Sequence, residues 1–196
     1  MLAGGRHTGA AAIASAGLVA LAAGCGPHKP RQDTDEPYGI YKVRVVKASF
    51  PTAQKLAKTS IFRLVVRNVD TRTIPDLAVT VDSFTTRSQQ PGLADPNRPV
   101  WIVDEGPTGG TTAYANTWAL GSVPPGATRT FVWKVTAVQA GTHTVKYRVA
   151  AGLNGKARAK VNGQPDFQGS FTVAISGKPA QSRVDPETGK VVRSKS

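Results

Sequence analysis

The chain has 196 residues, 40% of them hydrophobic and 7% aromatic, enough apolar side chain for one folded domain. This excludes disorder throughout and a polytopic membrane protein. Its 25 Lys and Arg against 12 Asp and Glu leave a formal charge of +13, which points to an anionic partner without naming the anion.

Residues 1–24 read as a secretion signal: Arg6 and His7 form a short cationic start, and an uncharged Ala/Leu/Val/Ile run follows from Thr8 to Gly24. The run is mostly alanine and shorter than the roughly 20 apolar residues of a spanning helix, so a transmembrane anchor is the weaker reading. It ends in Leu21-Ala22-Ala23-Gly24-Cys25, which resembles the lipobox of bacterial lipoproteins. The resemblance implies that Cys25 becomes the first mature residue and is diacylated through its thiol; Ala22 stands where that family usually has Leu. Ordinary cleavage near Ala23, leaving Cys25 as an unpaired thiol, is the alternative. Acyl chains contribute about 0.8 kcal/mol per buried methylene, so a diacylated Cys25 would hold the chain to a membrane. One cysteine also excludes a disulfide framework.

Residues 25–39, GPHKPRQDTDEPYG and the Cys before it, form a polar, Pro-containing tether, and residues 177–196 a basic flexible tail. Between them, residues 40–176 show apolar side chains at every second position, the period of a strand. Tyr41, Val43 and Val45 alternate with Lys42 and Arg44. Phe62, Leu64 and Val66 alternate with Arg63 and Arg67, and Leu77, Val79 and Val81 follow. Phe131, Trp133 and Val135 come next, then His143, Val145, Tyr147 and Val149, then Phe171, Val173 and Ile175. Turn signals separate the runs: Asn68-Val69-Asp70, Pro124-Pro125-Gly126, Ala140-Gly141, Leu153-Asn154-Gly155 and Val161-Asn162-Gly163. About seven or eight short strands predict an all-β, immunoglobulin-like antiparallel β-sandwich.

The runs LVVRNVDTRTIPDLAVTV and WALGSVPPGATRTFVWKVTAVQAGTHTVKYRV resemble bacterial extracellular Ig-like domains of the CARDB type. The match spans about Ile61 to Val149 and rests on turn motifs, with Asp70 where such domains usually have Gly. It implies a structural, adhesive or binding module and transfers no catalytic residue.

Residues 85–113 break the strand rhythm and read as a long insertion. Trp101, Asp104 and Glu105 within it, with Tyr114 and Trp118 just after, are a candidate sugar platform, rings stacking on pyranose faces and acids accepting hydroxyls. The competing expectation is that Trp101 and Ile102 form an extra strand and Trp118 is core. Adjacent Asp104 and Glu105 point to opposite faces if extended, which gives no sign of paired-carboxylate catalysis. Asp70, Asp76, Asp82, Asp95 and Asp104 lack calcium-loop spacing and read as turn formers. Three His and one Cys build no zinc cluster. No metal and no cofactor is expected.

Seven basic residues and no acid lie between Arg129 and Pro165. Lys134, Lys146 and Arg148, on polar strand faces, with Lys156, Arg158 and Lys160 nearby, are expected to merge into one anion-binding stripe. The expected protein is thus an exported module at the outer face of the cytoplasmic membrane, non-enzymatic, binding or scaffolding. Its partners would be anionic lipid headgroups, wall polymers or another envelope protein, and not nucleic acid. The alternative is a carbohydrate-binding or wall-processing enzyme using residues 101–118.

Overall fold

A computed structural model of the chain describes residues 35–86, 99–165, 167–178 and 182–193. Cys25 and its signal fall outside them. The strands in chain order are β1 (Gly39–Ser49), β2 (Ala53–Lys55), β3 (Thr59–Asn68), β4 (Ala78–Val81), β5 (Phe84–Thr86), β6 (Trp101–Glu105), β7 (Thr111–Tyr114) and β8 (Thr117–Ala119). They continue with β9 (Thr128–Ala137), β10 (Gly141–Ala150), β11 (Ala157–Val161), β12 (Gln164–Pro165), β13 (Gln168–Ser176), β14 (Ser182–Val184) and β15 (Val191–Arg193).

Two sheets make the immunoglobulin-like sandwich. One has seven strands in the order β12-β11-β1-β3-β9-β6-β5, the other six in the order β2-β13-β10-β4-β8-β7. Most pairings are antiparallel, as the sequence predicts, but β1 with β11, β5 with β6 and β2 with β13 run parallel. β14 and β15 form a separate hairpin inside the expected flexible tail, closed by Asp185, which accepts from the amides of Glu187 and Thr188.

The long runs of alternation become β1, β3, β9, β10 and β13, because a strand with one wet face must turn every second side chain inward. Phe62, Leu64 and Val66 of β3 meet Phe131, Trp133 and Val135 of β9, all fully buried. Phe62 lies opposite Trp133 in register and stacks on it, ring centroids 5.0 Å apart. Phe84, Trp101 and Phe50 complete the aromatic centre with edge-on contacts. Each such side chain contributes roughly 1.5–3 kcal/mol on leaving water. Trp101 Nε1 donates to Gln54 Oε1 at 2.9 Å, and Gln54 Nε2 donates to the Pro51 carbonyl, so this buried indole is paired.

Polar pins lock the turns. Asn68 is fully buried: its Nδ2 donates to the Arg72 and Val123 carbonyls at 2.9 and 2.8 Å, and its Oδ1 accepts from the Asp70 amide. The Asn68–Asp70 turn is therefore held from three sides. Val161-Asn162-Gly163 forms the β11–β12 hairpin turn, with φ of 48° at Asn162 and 85° at Gly163, the signs a type I′ turn requires.

The tether does not reach to residue 39. Glu36, 9% exposed, sits against the 151–157 loop, where its carboxylate accepts from the amides of Leu153, Asn154 and Ala157 at 2.6, 3.0 and 2.6 Å. The folded unit therefore takes in Glu36, because three convergent backbone donors hold a carboxylate more firmly than water does.

The expected insertion is in part sheet. Residues 101–105 pair with β9 as β6, and Thr111–Tyr114 pairs with β8 as β7; residues 87–98 lie outside the described set.

Candidate anion-binding face

The structure does not assemble the expected sugar platform. Trp101 has no exposed surface and Trp118 only 3%, so both rings belong to the core. Trp118 stands edge-on to Trp133 at 5.5 Å. The acids are exposed but engaged: Thr136 Oγ1 donates to Asp104 Oδ2 at 2.6 Å, and Glu105 pairs with Lys134 Nζ at 2.7 Å. A register shift between Val103 and Glu105 turns both carboxylates outward rather than to opposite faces. Tyr114, 43% exposed, lines an open cavity of about 530 Å³, together with Thr117, Arg148, Arg158 and Phe167.

The expected basic stripe is also divided. β9 and β10 follow one another in sequence but lie in different sheets, so Lys134 faces out from the seven-stranded sheet and Lys146 and Arg148 from the six-stranded one. Outward side chains of two packed sheets point away from each other across a core about 10 Å thick, so these three cations cannot share one surface. Arg148 is in addition paired with Asp82 at 3.2 Å. Lys156 Nζ lies over the Tyr38 ring, 5.5 Å from its centroid.

A different basic surface takes its place. On the outward side of the seven-stranded sheet, β11 carries Arg158 and Lys160, β1 carries Lys42, Arg44 and Lys47, and β3 carries Arg63 and Arg67, all exposed. The register brings them together: Lys42 stands beside Lys160 in the parallel β1–β11 pair, and Arg44 faces Arg67 in the antiparallel β1–β3 pair. Lys134 extends the same face on β9, where Glu105 neutralises it. Of the described acids, Asp104 and Glu105 thus lie at the β6 end of this face. Like charges directly opposed across strands repel, so Arg44 beside Arg67 is an arrangement that a bound anion relieves. Arg67 Nε is steadied by the Gly126 carbonyl at 3.1 Å.

One acid borders the face. Asp70 Oδ2 accepts from the Lys42 amide at 2.9 Å, and Oδ1 accepts from the Arg72 amide and Nε at 3.1 and 3.2 Å. The hydrogen bond from the Arg72 guanidinium, followed by the one from the Lys42 amide, holds the Asp70 carboxyl well below the usual range. Arg72 also lies over the Tyr41 ring at 4.4 Å. The acid is thereby committed to Arg72.

Among the described residues no group of three His, Cys, Asp or Glu side chains could hold a metal ion, and no helix is long and apolar enough to cross a membrane. His143, half-buried, sits edge-on to Trp101 at 6.1 Å with its Nε2 3.1 Å from the Ala140 carbonyl, a structural position.

No protein-family model and no curated protein matches this sequence. Among solved structures, the chain is similar to a CARDB domain from Pyrococcus furiosus crystallised in complex with di-metal ions, at 13% identity over 70% of this chain and 93% of that one, TM-score 0.40. The solution structure of a CARDB domain from the same organism is 12% identical over 72% and 99%, TM-score 0.44. Escherichia coli alpha-2-macroglobulin activated by porcine elastase is 18% identical, covering 72% of this chain but 10% of that chain, TM-score 0.40. All of these are likenesses of fold.

Proposed function

We propose that this chain is an exported, non-enzymatic binding or scaffolding module of the cell envelope. A lipid on Cys25 holds it at the outer face of the cytoplasmic membrane, and it engages anionic headgroups or wall polymers through the outer face of its seven-stranded sheet. The observation that carries this reading is the clustering of charge: Lys42, Arg44, Lys47, Arg63, Arg67, Arg158 and Lys160 lie on three adjacent strands, while the described acids of that face are Asp104 and Glu105 at its β6 edge and Asp70, held by Arg72, at its border. Summed over such a patch, the potential attracts polyanions and is screened by salt. The buried rings of Trp101 and Trp118 and the engaged acids Asp104 and Glu105 weigh against the alternative enzyme built on residues 101–118. The mature protein should sediment with phosphatidylglycerol vesicles or isolated wall polymer at low salt and be released at high salt. Labelled palmitate should enter the wild-type chain and not Cys25→Ser. Salt-independent sedimentation, or labelling unchanged by the substitution, would overturn the respective half of this reading.

A further inference from the structure

We propose that Lys42, Arg44, Lys160 and Asn162 form a discrete site for a phosphate group, a lipid phosphate or a free one, within the basic face. The inference rests on the reading that this face binds anions, and narrows it to one place. The four residues line a cavity of about 400 Å³ whose other walls are Val43, Val69 and Gly163. Three of its lining side chains are cations and none is an acid.

The fold brings the cations together by rules visible in the strands. Lys42 and Arg44 are two apart on β1, so both emerge on the same side, about 7 Å apart along the strand. Lys160 is the in-register neighbour of Lys42 on β11, one strand spacing away, about 4.8 Å. Three cations rooted in so small an area repel one another, and no carboxylate among the described residues forms an ion pair with any of the three. Asp70, whose Oδ2 accepts the Lys42 amide, spends its charge on Arg72. A phosphate group, singly charged as a lipid diester and up to doubly charged when free, brings the negative charge that relieves this repulsion, and Arg44 supplies the planar fork suited to two of its oxygens.

Asn162 adds direction to the charge. Asn162 takes the positive φ of the hairpin turn and lines the cavity, and its Oδ1 accepts from the Val45 amide at 3.2 Å. That bond leaves Nδ2, a donor, as the remaining face of the amide. The strands also anchor the site: the Asn162 amide donates to the Val43 carbonyl, and the Val69 amide to the Lys42 carbonyl, so the floor is fixed by backbone bonds at 3.0 and 3.1 Å.

The test uses the mature chain, titrated with inorganic phosphate and followed by amide chemical shifts, and separately with phosphatidylglycerol vesicles in a phosphatidylcholine background. Phosphate should shift the amides of Lys42, Arg44, Asn162 and Gly163 in one saturable step. Lys42→Gln and Lys160→Gln should each weaken this step by about threefold to tenfold, as expected for one lost charge-assisted contact. Asn162→Asp keeps the acceptor for Val45 and the turn, so a fold intact by its shift dispersion should nonetheless lose phosphate binding. Lys146→Gln changes net charge by the same unit on the opposite sheet and should leave the step unchanged. Saturable binding of phosphate places the source as any accessible phosphate; shifts at the same amides with vesicles alone place it as a lipid headgroup. Shifts spread evenly over Lys47, Arg63 and Arg67, or vesicle binding equally weakened by Lys146→Gln and Asn162→Asp, would overturn the site and leave the broader basic-face reading standing. Loss of both phosphate and vesicle binding in the wild-type chain would overturn both.

Discussion

The Glu36 carboxylate occupies the space that a side chain at residue 152 would need: a Cβ built on Gly152 falls 2.2 Å from the Glu36 carboxyl carbon. Gly152 therefore serves by lacking a side chain, and the loop closes around an acid that its own amides bind. Gly152→Ala is expected to expel Glu36, and Glu36→Ala to leave three amide donors without their acceptor. Either change should cost about 2–4 kcal/mol, the price of unpaired, partly buried donors. Chemical denaturation measures the loss. Amide exchange at Leu153, Asn154 and Ala157 should accelerate in both variants while β3 and β9 stay protected; unchanged exchange there would show that the latch does not hold the loop.

Acid should weaken the fold through Asp70, and the sign follows from its environment. Its carboxyl titrates well below the ordinary value of 3.8, first because of the Arg72 hydrogen bond. Its stabilisation is therefore complete above the unfolded value and drains away as pH falls towards the folded one. Asp76 has the opposite sign: burial raises it, although the Gly121 amide donates to its Oδ1 at 3.0 Å, so its charged form subtracts stability at neutral pH and less so in acid. Asp70→Asn should be less stable than wild type at about pH 6, with the gap closing below about pH 4. Asp76→Asn, which keeps an acceptor for Gly121, should match or exceed wild type at neutral pH and lose that advantage in acid. Thermal unfolding at a series of pH values checks both, and a gap for Asp70→Asn that widened on acidification would contradict the assignment.

The five long strands and the turns at 68–70, 124–126 and 161–163 are legible in the sequence because each obeys a local rule: period two for the strands, Asn and Gly for the turns. β2, β5, β7, β8 and β12 are two to four residues long and carry no period to read. β11 does alternate, but its inward side chains are Ala157, Ala159 and Val161, too small to announce a core strand. The basic face was half legible in the same way. Lys42, Arg44, Arg63 and Arg67 stand on the polar sides of visible strands. Their coming together depends on β1 lying between β11 and β3, which no local pattern states. The same long-range choice sends β9 and β10 to different sheets and separates Lys134 from Lys146, though residues 134 and 146 look like partners in a hairpin.

Two fully buried indoles differ in a way that mutation can read. Trp101 Nε1 is hydrogen-bonded to Gln54, whereas Trp133 Nε1 has no partner among the described residues. Replacing either by Phe removes similar volume. Trp101→Phe also leaves the buried Gln54 Oε1 unpaired, while Trp133→Phe deletes an unpaired donor and keeps a ring between Phe62 and Phe131. Trp101→Phe should accordingly be the costlier change, by about 1–3 kcal/mol. Equilibrium denaturation of both variants decides, and equal losses would mean that the Gln54 bond adds nothing net.

Arg44 and Arg67 set stability against binding. They are directly opposite in register on the exposed side of β1 and β3, where a like-charge pair is unfavourable and an opposite pair contributes about 0.2–1 kcal/mol. A chain shaped only by its own stability would gain by changing one of them. Arg44→Glu should therefore raise the midpoint of thermal unfolding by a degree or a few, since about 1 kcal/mol corresponds to roughly 4 °C in a domain of this size. The gain should shrink at high salt, because both side chains are exposed and screened. The same substitution replaces a cation of the anion site by an acid, so vesicle and phosphate binding should be lost in the very variant that is more stable. Greater stability with intact binding would detach the Arg44–Arg67 pair from function; lower stability would show that the two guanidinium groups are not in conflict and that the face carries no stored repulsion for an anion to relieve.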